Sequence, residues 1–244
     1  MLTKSRVKYI QTLGQKKFRQ ETGCFIAEGP KIVAELLQAR RNDVLEVFAT
    51  AEWIGENRDL MGSVEIVEVK PHELAQISQL TTPNMVLARV RQFDLPAGVD
   101  TKERVVLALD AIRDPGNMGT LLRIADWFGV EQVVCSEDST DIYNPKVVQA
   151  SMGSIARVHV FRMDLSSWLS SVRDTRIYAA VLDGRDIRTL EKMNSGIILV
   201  GNESKGIGPE LLGFADTRIT IPRKGHAESL NAAVATGIIL SQLT

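Results

Sequence analysis

The sequence is poor in several features that would have decided its class at once. Its only cysteines, Cys24 and Cys135, lie far apart and in no metal-ligand spacing. A disulfide framework and a cysteine-built zinc site are thereby excluded, and two reduced thiols in a cytoplasmic protein is the simpler reading. No run reaches the ~18 consecutive apolar residues of a membrane span. The opening Met1-Leu2-Thr3-Lys4-Ser5-Arg6 leads into no apolar stretch, so no secretory leader is expected. Charge of one sign is missing too. The net charge of −1 speaks against a nucleic-acid binder that is basic over its whole surface, and leaves room for a local patch. There is neither G-x-G-x-x-G nor Gly-Lys-Ser/Thr, which disfavours a nicotinamide oxidoreductase and a phosphate-binding loop. Internal repeats and low-complexity tracts are also absent.

The 244 residues are 44% hydrophobic and 24% charged, an ordinary globular composition. One large domain or two modest ones would fit. The stretch Phe93-Asp94-Leu95-Pro96-Ala97-Gly98-Val99-Asp100 holds a proline, a glycine and acids without periodicity. It reads as a linker, 96–103, between domains 1–95 and 104–244. In the second domain β-branched runs (Arg104–Leu109, Val130–Cys135, Ile155–Phe161, Arg176–Leu182, Gly196–Val200, Thr217–Ile221) alternate with helical patterns. The helices are expected at Asn117–Phe128, Asn144–Met152, Leu165–Val172 and Ser229–Leu243. Such alternation predicts an α/β fold with a parallel sheet covered by helices. The first domain mixes a helix at Lys31–Ala39, strands at Val44–Ala49 and Val64–Val69, and a helix at Pro71–Leu80, the pattern of a small α/β layer. Its first twenty positions carry Lys4, Arg6, Lys8, Lys16, Lys17 and Arg19 and no acid. This is either a solvated basic helix or a phosphate-binding patch.

In an open parallel sheet, ligands sit beyond the carboxyl ends of the strands. Three such ends here are unusual. After Leu109, Pro115-Gly116 makes a turn, Asn117 suits a helix N-cap, and Arg123 lies off the buried face of Met118, Leu121, Leu122, Ala125 and Phe128. After Val200, the loop Gly201-Asn202-Glu203-Ser204-Lys205-Gly206 lets backbone approach a ligand closely. After Ile221-Pro222 comes a basic loop, and Ser229 is placed to cap a helix rich in small residues with Asn231 in its first turn. His226 reads as a solvated loop histidine.

Together these stretches resemble the SpoU (TrmH) family of RNA 2′-O-methyltransferases in the SPOUT superfamily. Asn-x-Gly-x-x-x-Arg stands as Asn117, Gly119 and Arg123. Gly-x-Glu-x-x-Gly stands as Gly201, Glu203 and Gly206. Ile-Pro, Gly and Ser-Leu-Asn stand as Ile221-Pro222, Gly225 and Ser229-Leu230-Asn231. The resemblance covers about 104–244. More loosely, Lys8 through Gly29 and the helix after them resemble a substrate-binding domain similar to ribosomal proteins that bind kinked RNA.

The resemblance implies a deep trefoil knot near the C-terminus, a homodimer, and S-adenosylmethionine as methyl donor. It implies cofactor contacts from Leu182, Gly201, Ile221 and Leu230, and catalytic roles for Arg123, Asn117, Glu203, Asn231 and Ser229. Arg123 would grip a phosphate and stabilise the developing alkoxide rather than act as base, since a guanidinium stays charged. Asn117 would orient Arg123 or the ribose. Glu203 and Asn231 would hold the target nucleotide or the motif loops. Ser229 either bonds the substrate or only caps its helix. Sulfonium is already an activated donor, so the chemistry calls for alignment rather than a metal. Ribosomal RNA is the favoured substrate. The alternatives are a transfer-RNA methyltransferase and a non-catalytic RNA-binding homologue.

Overall fold

The computed structural model describes residues 2–202 and 204–244. It divides into two compact units, Met1–Asp94 with Asp141–Arg157 and Leu95–Thr140 with Val158–Thr244. The irregular stretch around Phe93–Asp100 lies where the leading segment of the first unit ends. Asp141–Arg157, from the second half of the sequence, is gathered into the first unit.

The first unit runs α1 (Lys4–Thr12), α2 (Lys16–Thr22), β1 (Cys24–Glu28), α3 (Pro30–Ala39), β2 (Val44–Ala49), α4 (Ala51–Glu56), α5 (Arg58–Met61), β3 (Glu65–Glu68), α6 (Pro71–Ile77) and β4 (Val86–Arg91). Its sheet has the order β1-β4-β2-β3, with β4 antiparallel to both neighbours and β2 parallel to β3. Ile10, Leu13, Ile26, Phe48, Leu74, Ile77 and Leu87 form a dry cluster within it. Thr3 starts α1 by accepting a hydrogen bond from the N–H of Arg6.

The basic N-terminal segment is less free than its sequence suggests. The Arg6 guanidinium bonds Glu46 and lies 3.0 Å from Glu65. Arg19 is 2% exposed, bonds Asp141 at 2.6 Å and donates to the Leu13 carbonyl at 2.9 Å. Two of the cations thus neutralise carboxylates inside the unit, whereas Lys4, Lys8, Lys16 and Lys17 face solvent.

The second unit contains β5 (Val105–Leu109), α7 (Pro115–Trp127) and β6 (Gln132–Cys135). The chain passes through α8 (Pro145–Ser151) in the first unit. It then forms β7 (His159–Arg162), α9 (Leu165–Ser171), β8 (Ile177–Asp186), β9 (Gly196–Val200), α10 (Pro209–Leu212), β10 (Thr217–Thr220) and α11 (Ala232–Leu243). The sheet is parallel throughout, in the order β10-β8-β9-β5-β6-β7. The fully buried β9 is the continuous apolar run of Gly196 to Val200, as a strand covered on both faces requires. Strand order reverses beside β5, so the crevice for a ligand opens beyond its carboxyl end and that of β9. Of the expected strand Ile155–Phe161, only its end is extended, because Ser154–Ala156 forms a 3₁₀ turn. Among the described residues no helix is long and apolar enough to cross a membrane.

Candidate active site

The loop after β5 is built around Asp114 rather than Asn117. Asp114 Oδ1 accepts the N–H of Asn117 at 2.7 Å and caps α7. Pro115 occupies the first helical position, where its missing N–H costs nothing, so the helix begins two residues earlier than expected and the cap moves with it. Asn117 therefore sits inside the first turn. Its Oδ1 accepts Nδ2–H of Asn231 at 2.8 Å. Met118, Leu121, Leu122 and Ala125 are buried, while Phe128 is only half-buried. Arg123 is exposed and has no ion-pair partner among the described residues.

The same displacement occurs in the third motif. Ser229 does not cap α11; Asn231 does, its Oδ1 accepting from the N–H of Ala233 at 2.9 Å and of Val234 at 3.3 Å. Asn and Ser cap about equally well by type, and because α11 begins at Ala232 the cap position falls to Asn231. Ser229 is left exposed in the preceding loop.

In the second motif the chain folds back on itself. The N–H of Asn202 donates to the Gly206 carbonyl at 3.1 Å, and the N–H of Gly206 returns to the Asn202 carbonyl at 2.8 Å. A Cβ on Gly201 would lie 2.3 Å from the Gly206 carbonyl carbon, so only glycine fits the crossing. Glu203 lies outside the described residues.

The third wall comes from β8, which is longer than its sequence suggested. Arg218 pairs with Ala179, but the next residue, Ile219, pairs with Arg185. Residues 180–184 are therefore left without partners on β10 and stand out from the ladder. Thr220 Oγ1 donates to the Leu182 carbonyl at 3.1 Å, and a Cβ on Gly184 would fall 2.6 Å from backbone of Ile219. The Leu182 side chain is left 72% exposed.

Between these walls lies a cavity of about 950 Å³. Leu182, Gly201, Ile221 and Leu230 all line it, and so does Ser229. Asn117, Arg123 and Asn231 are not on this wall. Asn117 and Asn231 are linked by their hydrogen bond, and Arg123 lies further along the helix that carries Asn117. One group can enclose a small molecule, and the other presents polar and cationic groups to something larger.

A model of the SpoU rRNA Methylase family matches residues 104–241. The chain belongs to the SpoU rRNA methylase family. Ahead of the SpoU region, an MRM3-like substrate binding domain matches residues 4–88. The chain is 29% identical over 241 residues to the 23S rRNA (guanosine(2553)-2′-O)-methyltransferase RlmP of Bacillus subtilis, spanning 98% of this chain and 95% of that one. Among solved structures, it is similar to a TrmH-family RNA methyltransferase from Porphyromonas gingivalis, with TM-score 0.89 and 34% identity over 100% of this chain and 98% of the other. It is also similar to an AdoMet-bound rRNA methyltransferase from Sinorhizobium meliloti, with TM-score 0.85 and 32% identity over 100% and 95%.

The SpoU cavity suits S-adenosylmethionine on its own geometry. Its volume falls in the range of roughly 300–1,000 Å³ typical of small-molecule sites. Its apolar side chains, Leu182, Ile221 and Leu230, offer a slot for a purine, and the glycine crossing at Gly201 and Gly206 keeps side chains out of the way. Sequence reasoning missed Asp114 and Asn202. Asp-Pro ahead of an apolar periodic run is a helix-start signal that identifies Asp114. Asn202 occupies the unspecified position of its motif, and nothing in the sequence sets it apart.

Proposed function

We propose that this chain transfers the methyl group of S-adenosylmethionine to a ribose 2′-hydroxyl of ribosomal RNA, with S-adenosylhomocysteine as leaving group and the hydroxyl proton released to solvent. The observation that carries this reading is the cavity walled by Leu182, Gly201, Ile221 and Leu230, with the Asn117–Asn231 bond tying the first and third motifs together. S-adenosylmethionine supplies an activated methyl carbon. The chain's own task is to align the ribose oxygen behind that carbon and exclude water, which is worth about 7–11 kcal/mol when geometry is tight. Arg123, exposed and in no ion pair among the described residues, grips the RNA phosphate and steadies negative charge on the attacking oxygen. Asn117 and Asn231 orient the ribose and the loops that carry them. Ser229 meets the substrate from the cavity wall, and Glu203 holds the target nucleotide.

In this reading residues 1–95 bind the RNA, 96–103 link, and 104–244 transfer the methyl group. The C-terminal region is a deep trefoil knot, a reading that rests on the SpoU family match over residues 104–241. The active form is a homodimer. Trp127, Val234 and Ile238 are 83%, 52% and 39% exposed on α7 and α11, an apolar surface that suits a second copy. Its workplace is the cytoplasm, in keeping with Cys24 and Cys135 as buried thiols.

The test is transfer of labelled methyl to ribosomal and transfer RNA fractions, with Arg123→Ala and Arg123→Lys alongside. Label is expected in ribosomal RNA and lost in Arg123→Ala. Lysine keeps the charge but not the planar fork, so activity near wild type in Arg123→Lys would refute the role given to the guanidinium. Label confined to transfer RNA would change the substrate, and cofactor binding without transfer to any RNA would make the chain a binder.

A further inference from the structure

The second motif specifies Gly201, Glu203 and Gly206 and leaves the position between the first two open. Yet Asn202 is the side chain that holds this loop. Its Oδ1 accepts the N–H groups of Ser204 at 2.9 Å and Lys205 at 3.3 Å, which closes the turn. Its Nδ2 reaches across to the Ala111 carbonyl at 2.9 Å. At the far end of the loop, the N–H of Gly208 donates to Oδ2 of Asp110 at 2.8 Å. The loop is therefore clamped at its entry and its exit to two consecutive residues, Asp110 and Ala111, which follow β5.

Ala111 is a demanding anchor. It is held at φ 54, a left-handed conformation that a residue with a Cβ adopts only when its surroundings fix it. Its N–H donates to Ser136 Oγ at 2.8 Å and its carbonyl takes the Asn202 amide, so both backbone polar groups are pinned. A few residues later Asp114 caps α7, which carries Asn117 and Arg123. Ala111 thus stands between the glycine loop and the start of that helix.

We propose that Asn202 is a positioning residue, assisted by Asp110, that keeps the cofactor loop in register with the helix bearing Asn117 and Arg123. This rests on the methyltransferase reading. Asn202 borders the cavity, but its side-chain amide is engaged by Ala111, Ser204 and Lys205. Its amide sets the distance between the cavity that holds the methyl donor and the groups that hold the ribose, and misplacement of reacting groups by about 1 Å can cost roughly a hundredfold in rate.

Asn202→Asp separates the two halves of this role, because it keeps an acceptor for Ser204 and Lys205 but replaces the donor to Ala111 with an oxygen. Asn202→Ala removes both. The expected result for Asn202→Asp is cofactor affinity by calorimetry within about threefold of wild type, with kcat at saturating cofactor and RNA down by roughly ten- to a hundredfold. Amide hydrogen exchange across residues 111–118 should be faster. Asn202→Ala should lose cofactor affinity as well. Asp110→Asn retains an oxygen for the Gly208 N–H and should recover kcat relative to Asp110→Ala. Wild-type kcat and exchange in Asn202→Asp would overturn the proposal. So would a fall in melting temperature and cofactor affinity with kcat at saturation unchanged, which is the signature of a purely structural residue. If wild-type protein methylates no RNA, the functional reading fails. The exchange measurement then still decides whether Asn202 couples the loops.

Discussion

The side chain of Asn231 serves two elements at once: Oδ1 caps α11 while Nδ2 donates to Oδ1 of Asn117, 2.8 Å away on α7. Asn231→Asp keeps the cap and loses the donor. Asn231→Ala loses both. The alanine variant should be less stable by about 1 kcal/mol, the usual worth of a cap, whereas Asn231→Asp should melt near wild type. Both should lose methyl transfer to RNA. Thermal melts with initial rates check this, and full activity in Asn231→Asp would sever the bond from function.

Two glycines should resist even a methyl group. At Gly201 the added Cβ would lie 2.3 Å from backbone of Gly206, and at Gly184 it would lie 2.6 Å from backbone of Ile219. Gly201→Ala and Gly184→Ala should each lose most S-adenosylmethionine binding, read by calorimetry. Gly55 in α4 meets nothing within 4 Å. Gly55→Ala should bind cofactor normally and gain roughly 0.5–1 kcal/mol of stability, the usual helical preference for alanine.

The buried ion pair of Arg19 and Asp141 ties Asp141–Arg157 into the first unit. Arg19→Ala strands a carboxylate that is only 17% exposed. Removal of one partner from a buried pair costs about 3–5 kcal/mol, so a urea midpoint well below wild type is expected. Arg19→Ala with Asp141→Ala should recover part of the loss. No shift in the single variant would mean that the pair is not stabilising.

Tyr143 supplies a pH signature. Burial pushes its phenol up from 10.0 to about 12, while its oxygen accepts the N–H of Phe93 at 2.9 Å. The folded state therefore favours the neutral phenol. That contribution is intact below about pH 10 and is lost as pH rises through about 12, because the unfolded chain ionises first. Tyrosinate absorbance in native protein should show a late component that is missing in Tyr143→Phe. A phenol titrating at its ordinary value would show that the packing with Phe25 and Phe93 does not desolvate it.

Much of the second unit was written in local pattern. The run Gly196 to Val200 reads as a strand covered on both faces, and alternation of strands with helices argues for a parallel sheet. The cavity residues Leu182, Gly201, Ile221 and Leu230 were reachable through the resemblance to the family, whose motif loops follow strand ends, where such a sheet binds ligands. The motif order carried the family and with it the chemistry. Helix caps were less legible. Asn117 and Ser229 are both acceptable caps by type, and each lost the position to a neighbour three or two residues away once Pro115 and Ala232 fixed where their helices begin.

Sequence alone thus determined element types and sheet class, because these follow from periodicity and backbone allowance within a few residues, and its family motifs pointed to positions that line the cavity. Tertiary structure decided which charges remain available. Arg6 and Arg19 stand beside Lys4 and Lys16 in the sequence, but they meet Glu46 and Asp141 from distant segments. It also decided the work of Asn202 and Asn231, whose partners Ala111 and Asn117 are far away along the chain. A side-chain amide carries no mark of its partner; only the folding of the sheet brings that partner within 3 Å.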